Sequence, residues 1–223
     1  MGIEMSGLTV QLLDIAAGAL LLTAVLVVWR RELSVILRVF ALQGVALAGL
    51  VAVLASAQRS VELGLVALGL LVLRGVVLPL LVRRSLAGAG PVRRETTPML
   101  NVAASLLAAA ALTLLALAVS VPLVALDPSP ATRAVPVAVA VVLIGLMVMV
   151  TRRHAVSQVV GFLLMDNGIT AVAFLTTAGI GLLVEAGIAL DVLLVAGVLH
   201  VLTGRIRETF GDTDLSALRE LHD

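Results

Sequence analysis

Seven apolar runs dominate this 223-residue sequence, at about 8–29, 33–56, 61–82, 99–125, 135–151, 156–177 and 182–204. A hydrocarbon layer roughly 30 Å thick takes about 20 apolar residues of helix to cross. Lipid offers the backbone no water to bond, so such runs are viable as helices that satisfy their own N–H and C=O groups. The predicted fold is an all-α polytopic membrane bundle of about seven transmembrane helices. Composition agrees: 61% of residues are hydrophobic and 13% charged, where soluble domains carry about 45–50% and 25%. No polar stretch is long enough for a separate catalytic domain.

Three missing residue types narrow the chemistry. Without Cys there is no thiolate-held zinc, iron–sulfur cluster or disulfide. Without Tyr no phenol relays a proton, and without Lys, all 15 basic residues being Arg, a lysine-linked retinal is excluded. The arginines fall at helix ends, which points to membrane topology and away from nucleic acid. Glu4 and the lack of a positive leader predict that the first run is a retained helix, not a cleaved signal.

Alternating the runs across the bilayer sorts the arginines. One side collects Arg30, Arg31, Arg83, Arg84, Arg93, Arg94, Arg152, Arg153, Arg205 and Arg207; the other has Arg59 and Arg133. Ten against two predicts an N-terminus outside and a C-terminus in the cytoplasm. A shift of 123 residues lays Val61-Glu62 on Val184-Glu185, Gly64 on Gly187, Ser34 on Ser157, Arg84 on Arg207 and Gln43 on Asp166. This predicts parallel three-helix repeats formed by the first three and last three runs. The chain then divides into a three-helix unit with its cytoplasmic loop (1–98), a linker helix and outer loop (99–134), a second three-helix unit (135–204) and a cytoplasmic tail (205–223).

A charge at the centre of an inserted helix costs about 2.5–3.5 kcal/mol, so the ionisable residues inside the runs are informative. Asp166 lies roughly 16 Å deep in the sixth run and Asp191 about 20 Å from the cytoplasmic end of the seventh. Glu185 sits further out and His200 one to two turns from that end. Outside to inside, Glu185, Asp191 with Asp166, and His200 form a string of protonatable groups, a candidate proton path. Gln43, Glu62 and Arg74 form a candidate second polar cluster, in which the deep Arg74 calls for a carboxylate partner. Structural roles stand beside these. Asp166 as a neutral acid makes one interhelical hydrogen bond, Glu185 is interfacial, and His200 is a helix-end residue. Arg38 snorkels to the cytoplasmic surface, and Asp14 and Glu62 read equally as outer-surface residues. Pro79 is expected to kink the third helix, and Gly161 and Gly187 to allow close packing.

The stretches Thr151-Arg152-Arg153, Gln158-Val159-Val160-Gly161-Phe162-Leu163-Leu164-Met165-Asp166-Asn167-Gly168-Ile169 and Val184-Glu185-Ala186-Gly187-Ile188-Ala189-Leu190-Asp191 carry a resemblance. Together with Glu62, Leu73-Arg74, Pro79, Asn101 and Ser105, they resemble component E of the hydrogenase-4 family of formate hydrogenlyase complexes. The family's usual residues at 166 and 74 are Glu and Lys, so this chain departs at both. Its second half is also similar to the three-helix subunit of respiratory complex I (chain 4L, or subunit K), whose Glu-x-x-Ile-x-Leu helix matches Glu185 to Leu190. There the acid of the preceding helix aligns with Leu163, and Asp166 lies one turn further on the same face.

The resemblance implies a membrane subunit of a complex-I-like hydrogenase, placing carboxylates in a proton path beside larger antiporter-like subunits. It implies as partners a quinone-site-like membrane subunit, a hydrogenase with its nickel–iron centre, and iron–sulfur proteins. The chain itself would hold no cofactor or metal and would catalyse nothing alone. Two other functions fit the residues: a subunit of a multisubunit cation/proton antiporter, or a bundle that only braces its partners.

Overall fold

The computed structural model describes residues 6–87, 101–152 and 155–177. Eight α-helices and one π-helical segment make up these residues: α1 (Gly7–Trp29), α2 (Leu33–Gln58), α3 (Val61–Leu70), the π segment (Leu71–Val77), α4 (Leu78–Ala87), α5 (Val102–Leu126), α6 (Pro130–Arg133), α7 (Val135–Thr151) and α8 (Ala155–Thr177). They supply six spans long and apolar enough to cross a membrane, α3 to α4 and α6 to α7 each forming one. The chain is thus a multi-pass helical membrane protein. The predicted run 182–204 lies outside the described residues.

Short polar side chains start four of the spans. Ser6, Ser60, Asn101 and Ser129 accept hydrogen bonds from the backbone N–H groups of Thr9, Leu63, Ala104 and Thr132, which satisfies donors that helix geometry leaves open. The fifth span starts five residues before the expected 135, at Pro130. Ser129 caps it and Pro130 has its φ preset for a first helical position, so part of the expected outer loop is helical. Arg59 ends α2 in the left-handed region (φ 52°), which turns the chain directly into α3.

Packing follows two hairpins. Helix α1 lies against α2, and α7 lies against α8; α1 also meets α7, and α2 meets α8, while α5 packs outside on α7 and α1. The α7–α8 pair is close because both helices present glycines to it. A Cβ on Gly145 would fall 2.5 Å from the Met165 nitrogen, and one on Gly161 would fall 2.8 Å from the Met149 nitrogen. Leu13, Leu20, Ile36, Phe40, Leu47, Leu50, Ile144, Leu163 and Leu164 fill the space between the four central helices.

Two helices of each predicted triplet lie among the described residues and can be compared at the 123-residue offset. Ser6 and Thr9 fall on Ser129 and Thr132, and each pair makes the same cap, with a hydroxyl–hydroxyl bond of 2.8 Å in both. The span Gly7–Trp29 falls on 130–152 and α2 on 156–181, close to the observed Pro130–Thr151 and Ala155–Thr177. Equivalent helices meet each other, α1 with α7 and α2 with α8. The third helix of the second triplet lies outside the described residues.

Arg152 joins the ends of α1 and α7. It follows the last residue of α7, and its Nη2 donates to the carbonyls of Val28 (2.9 Å), Arg30 (3.1 Å) and Val27 (3.4 Å) at the end of α1. The two helices therefore end on the same side. Arg30, Arg31, Arg83, Arg84 and Arg152 lie at that end, while Arg59 and Arg133 lie at the other. A guanidinium on the open carbonyls of a helix C-terminus offsets their partial negative charge. Arg152→Leu should cost about 2 kcal/mol of stability, with partial recovery in Arg152→Lys, measured by titrating the purified chain with SDS in mixed micelles. Equal stability of the leucine variant and wild type would show that water caps this end as well.

Candidate polar site in the membrane

Three helices bring polar side chains to one depth. Gln43 lies ten residues into α2, Arg74 ten residues before Arg84, and Asp166 eleven residues into α8. The helix directions put all three about 15–17 Å from the same end, near the middle of a roughly 30 Å layer. Gln43 and Arg74 are 0% and 1% exposed, Asp166 5% and Asn167 1%.

The π segment aims Arg74 at this point. Pro79 has no N–H to give the Gly75 carbonyl four residues before it, and its ring crowds that carbonyl. The helix widens just ahead of the proline, and the Leu78 N–H reaches back five residues to Leu73. The expected kink at Pro79 is thus resolved as a π-helical turn, a feature frequent at functional sites. Gly44, next to Gln43, lets this turn come close. A Cβ there would fall 2.6 Å from the carbonyl carbon and oxygen of Arg74.

The guanidinium holds three side chains of α8. Its Nη2 lies 2.5 Å from Asp166 Oδ2 and donates to Thr170 Oγ1 at 3.0 Å, and its Nη1 donates to Asn167 Oδ1. Asn167 Nδ2 donates to Gln43 Oε1 at 2.9 Å, and Gln43 Nε2 donates to the Leu20 carbonyl of α1 at 3.4 Å. One connected network therefore ties α1, α2, the π segment and α8 together around a buried ion pair. At low local dielectric such a pair is strongly coupled, and either charge without the other is costly.

Asp166, Arg74 and Gln43 come together, although sequence reasoning placed Asp166 in one group and the other two in another. The carboxylate that Arg74 calls for is Asp166. Glu62 does not join them. It is exposed in the first turn of α3, twelve residues and about 18 Å of helix from Arg74. Glu185, Asp191 and His200 lie outside the described residues. Asn167 and Thr170 are the additional members; Thr170 lies four residues after Asp166 and three after Asn167, a helical spacing that the sequence contains. Among the described residues, no three His, Cys, Asp or Glu side chains gather where a metal ion would bind.

The fold and the buried network define a polytopic helical membrane protein with a charged polar centre. No protein-family model matches the chain, and no solved structure does. It is similar to the uncharacterized protein Rv0085 of Mycobacterium tuberculosis, with 51% identity over 214 residues, covering 95% of this chain and 96% of the mycobacterial one. The chain belongs to the same family as that protein.

Proposed function

We propose that this chain is a membrane subunit of a complex-I-like hydrogenase or formate hydrogenlyase complex in a prokaryotic cytoplasmic membrane. In this reading it contributes intramembrane carboxylates to proton translocation beside antiporter-like subunits. Its other partners are a quinone-site-like membrane subunit, a hydrogenase and iron–sulfur proteins, which hold the nickel–iron and iron–sulfur centres. The resemblance of the second half supplies the complex. The observation that carries the mechanism is the mid-membrane Arg74–Asp166 pair, bonded to Asn167, Thr170 and Gln43.

In this reading Asp166, the carboxylate of the pair, is the member that exchanges a proton. A proton arriving on Asp166 neutralises the carboxylate and frees the guanidinium to bond Asn167 and Thr170 alone. Its departure restores the pair. Glu185 and Asp191 continue the path outwards and His200 inwards.

Proton movement in vesicles holding the assembled complex, normalised to subunit content, tests this. Arg74→Gln with Asp166→Asn removes both charges while keeping amide-sized, hydrogen-bonding side chains, and it should assemble and fail to translocate. Asp166→Glu should retain substantial translocation, since the carboxylate moves by one methylene. Wild-type translocation by the neutral pair would remove Asp166 from the path and leave a bracing bundle.

Orientation is tested separately. A reporter fused after Arg133 should read outside, and one fused after Arg205 cytoplasmic. Both on one side would exclude the seven-span arrangement. Purification with native partners separates the hydrogenase reading from a cation/proton antiporter, which would bring antiporter-like subunits and no redox protein.

A further inference from the structure

We infer that Gln43 is a positioning residue for the Arg74–Asp166 pair. Anchored on the Leu20 carbonyl of α1, it fixes the Asn167 amide with its oxygen towards Arg74. One terminal nitrogen of the guanidinium is then held by Asn167, and the other stays on Asp166. This role deepens the proton-exchange reading of the same site and rests on it for any effect on translocation; the geometry stands without it.

The two ends of the hydrogen-bonded chain set its polarity. A backbone carbonyl only accepts, a guanidinium only donates, and an amide side chain carries one end of each kind. Two amides stand between Leu20 and Arg74. Gln43 Nε2 donates to the Leu20 carbonyl at 3.4 Å, which leaves Gln43 Oε1 to accept from Asn167 Nδ2 at 2.9 Å. Asn167 Oδ1 is thereby left to accept from Arg74 Nη1. Turning either amide over sets donor against donor or acceptor against acceptor. Both amides are buried, so a mismatched group there has no water to turn to and keeps its full desolvation cost. The orientation of Asn167 is therefore decided two contacts away, on α1.

That orientation reaches the ion pair because a guanidinium is a planar, rigid fork. With Nη1 held by Asn167, the plane of the fork is fixed, and Nη2 is directed at Asp166 Oδ2 and Thr170 Oγ1. At the 123-residue offset Gln43 falls on Asp166, and their helices α2 and α8 meet. An amide thus stands in α2 where the acid stands in α8, able to direct the guanidinium without adding a second buried negative charge. Thr23, also buried, competes for the anchor. Its hydroxyl lies 2.8 Å from the Ala19 carbonyl and 2.9 Å from the Leu20 carbonyl, with one proton to share between them. Removing that hydroxyl leaves the Leu20 carbonyl freer for Gln43, so substitutions at 23 and 43 should act in opposite directions. Side chains that only filled space would not show that opposition.

The test is solid-state nuclear magnetic resonance of the full chain, carrying isotope-labelled arginine, in phosphatidylcholine vesicles. It reads the rate at which the two terminal nitrogens of Arg74 exchange places by rotation of the guanidinium, with Arg74→Gln identifying their signals. Gln43→Met keeps an unbranched side chain of similar length and removes both amide bonds. It should speed the exchange about tenfold, the effect of one lost hydrogen bond. Thr23→Val keeps the shape of threonine and should slow the exchange about twofold. Unchanged exchange in Gln43→Met, or exchange in Thr23→Val no slower than wild type, would overturn the role of Gln43. Should Gln43→Met fail to fold, Thr23→Val leaves every member of the network in place and decides the matter by itself. In the assembled complex, Gln43→Met should lower proton movement several-fold. Wild-type proton movement in that variant, once its guanidinium is shown to rotate faster, would leave the positioning role standing and count against Asp166 as part of the path, so the two failures are distinguishable.

Discussion

Asp166→Leu should destabilise the isolated chain by about 3–5 kcal/mol, whereas Arg74→Met with Asp166→Leu should recover most of that loss. The difference comes from where the pair sits. Arg74 and Asp166 are almost wholly buried near the middle of the bilayer, so removing the carboxylate leaves a guanidinium with no counter-charge in a medium that solvates it poorly. Asparagine keeps the shape of aspartate and a hydrogen bond, but it does not restore the charge. Asp166→Asn alone should therefore also lose stability, and it cannot serve by itself as a test of proton transfer. Removing both members replaces an ion pair by apolar surface of similar volume, a change that is often neutral. SDS titration of wild type, Asp166→Leu, Arg74→Met and the double variant in mixed micelles gives the coupling energy. A double variant no more stable than Asp166→Leu would show that the pair adds nothing beyond its separate members.

Alanine at Gly44 or Gly145 should cost about 1–3 kcal/mol, while alanine at Gly18 should leave the isolated chain unchanged or slightly more stable. The added methyl is the same in all three. At Gly44 it meets the Arg74 carbonyl at 2.6 Å, and at Gly145 the Met165 nitrogen at 2.5 Å; in both cases the obstacle is backbone, which moves only with its helix. At Gly18 it meets nothing within 4 Å. The two costly substitutions should also differ in kind. Gly44→Ala pushes the π segment away from α2 and should reduce the Arg74–Asp166 coupling energy, whereas Gly145→Ala separates α7 from α8 and should leave more of it intact. Unfolding of each glycine variant in the wild-type and doubly neutral backgrounds measures this, and equal losses at all three glycines would contradict the close approaches.

Several elements were legible before any tertiary structure. The expected runs 8–29, 33–56 and 156–177 compare with helices Gly7–Trp29, Leu33–Gln58 and Ala155–Thr177. The misplaced start at 135 came from counting apolar residues, whereas a serine cap followed by proline already begins the helix at 130. Asp166, Arg74 and Gln43 each stood out as polar residues within apolar runs, because bilayer insertion makes such residues costly. Arg152 looked like one more arginine at a membrane boundary. Nothing local marks it as the cap of a helix that ends more than 120 residues earlier.

What the sequence determines here is set by the bilayer as solvent: hydrocarbon thickness fixes the length of each span, and the cost of charge fixes where arginines fall. What only the tertiary structure decided is lateral. Lipid-facing and protein-facing positions are both apolar in a membrane helix, so no periodic pattern distinguishes the face of α7 that meets α8 from the face that meets acyl chains. The contact between Arg74 and Asp166, 92 positions apart, depends on the widened turn before Pro79, the missing side chain at Gly44 and the Asn167–Gln43 bond that joins α8 to α2. Each of these acts between helices, through van der Waals contact and hydrogen bonds, because the hydrophobic effect that sorts inside from outside in water is absent between helices in lipid.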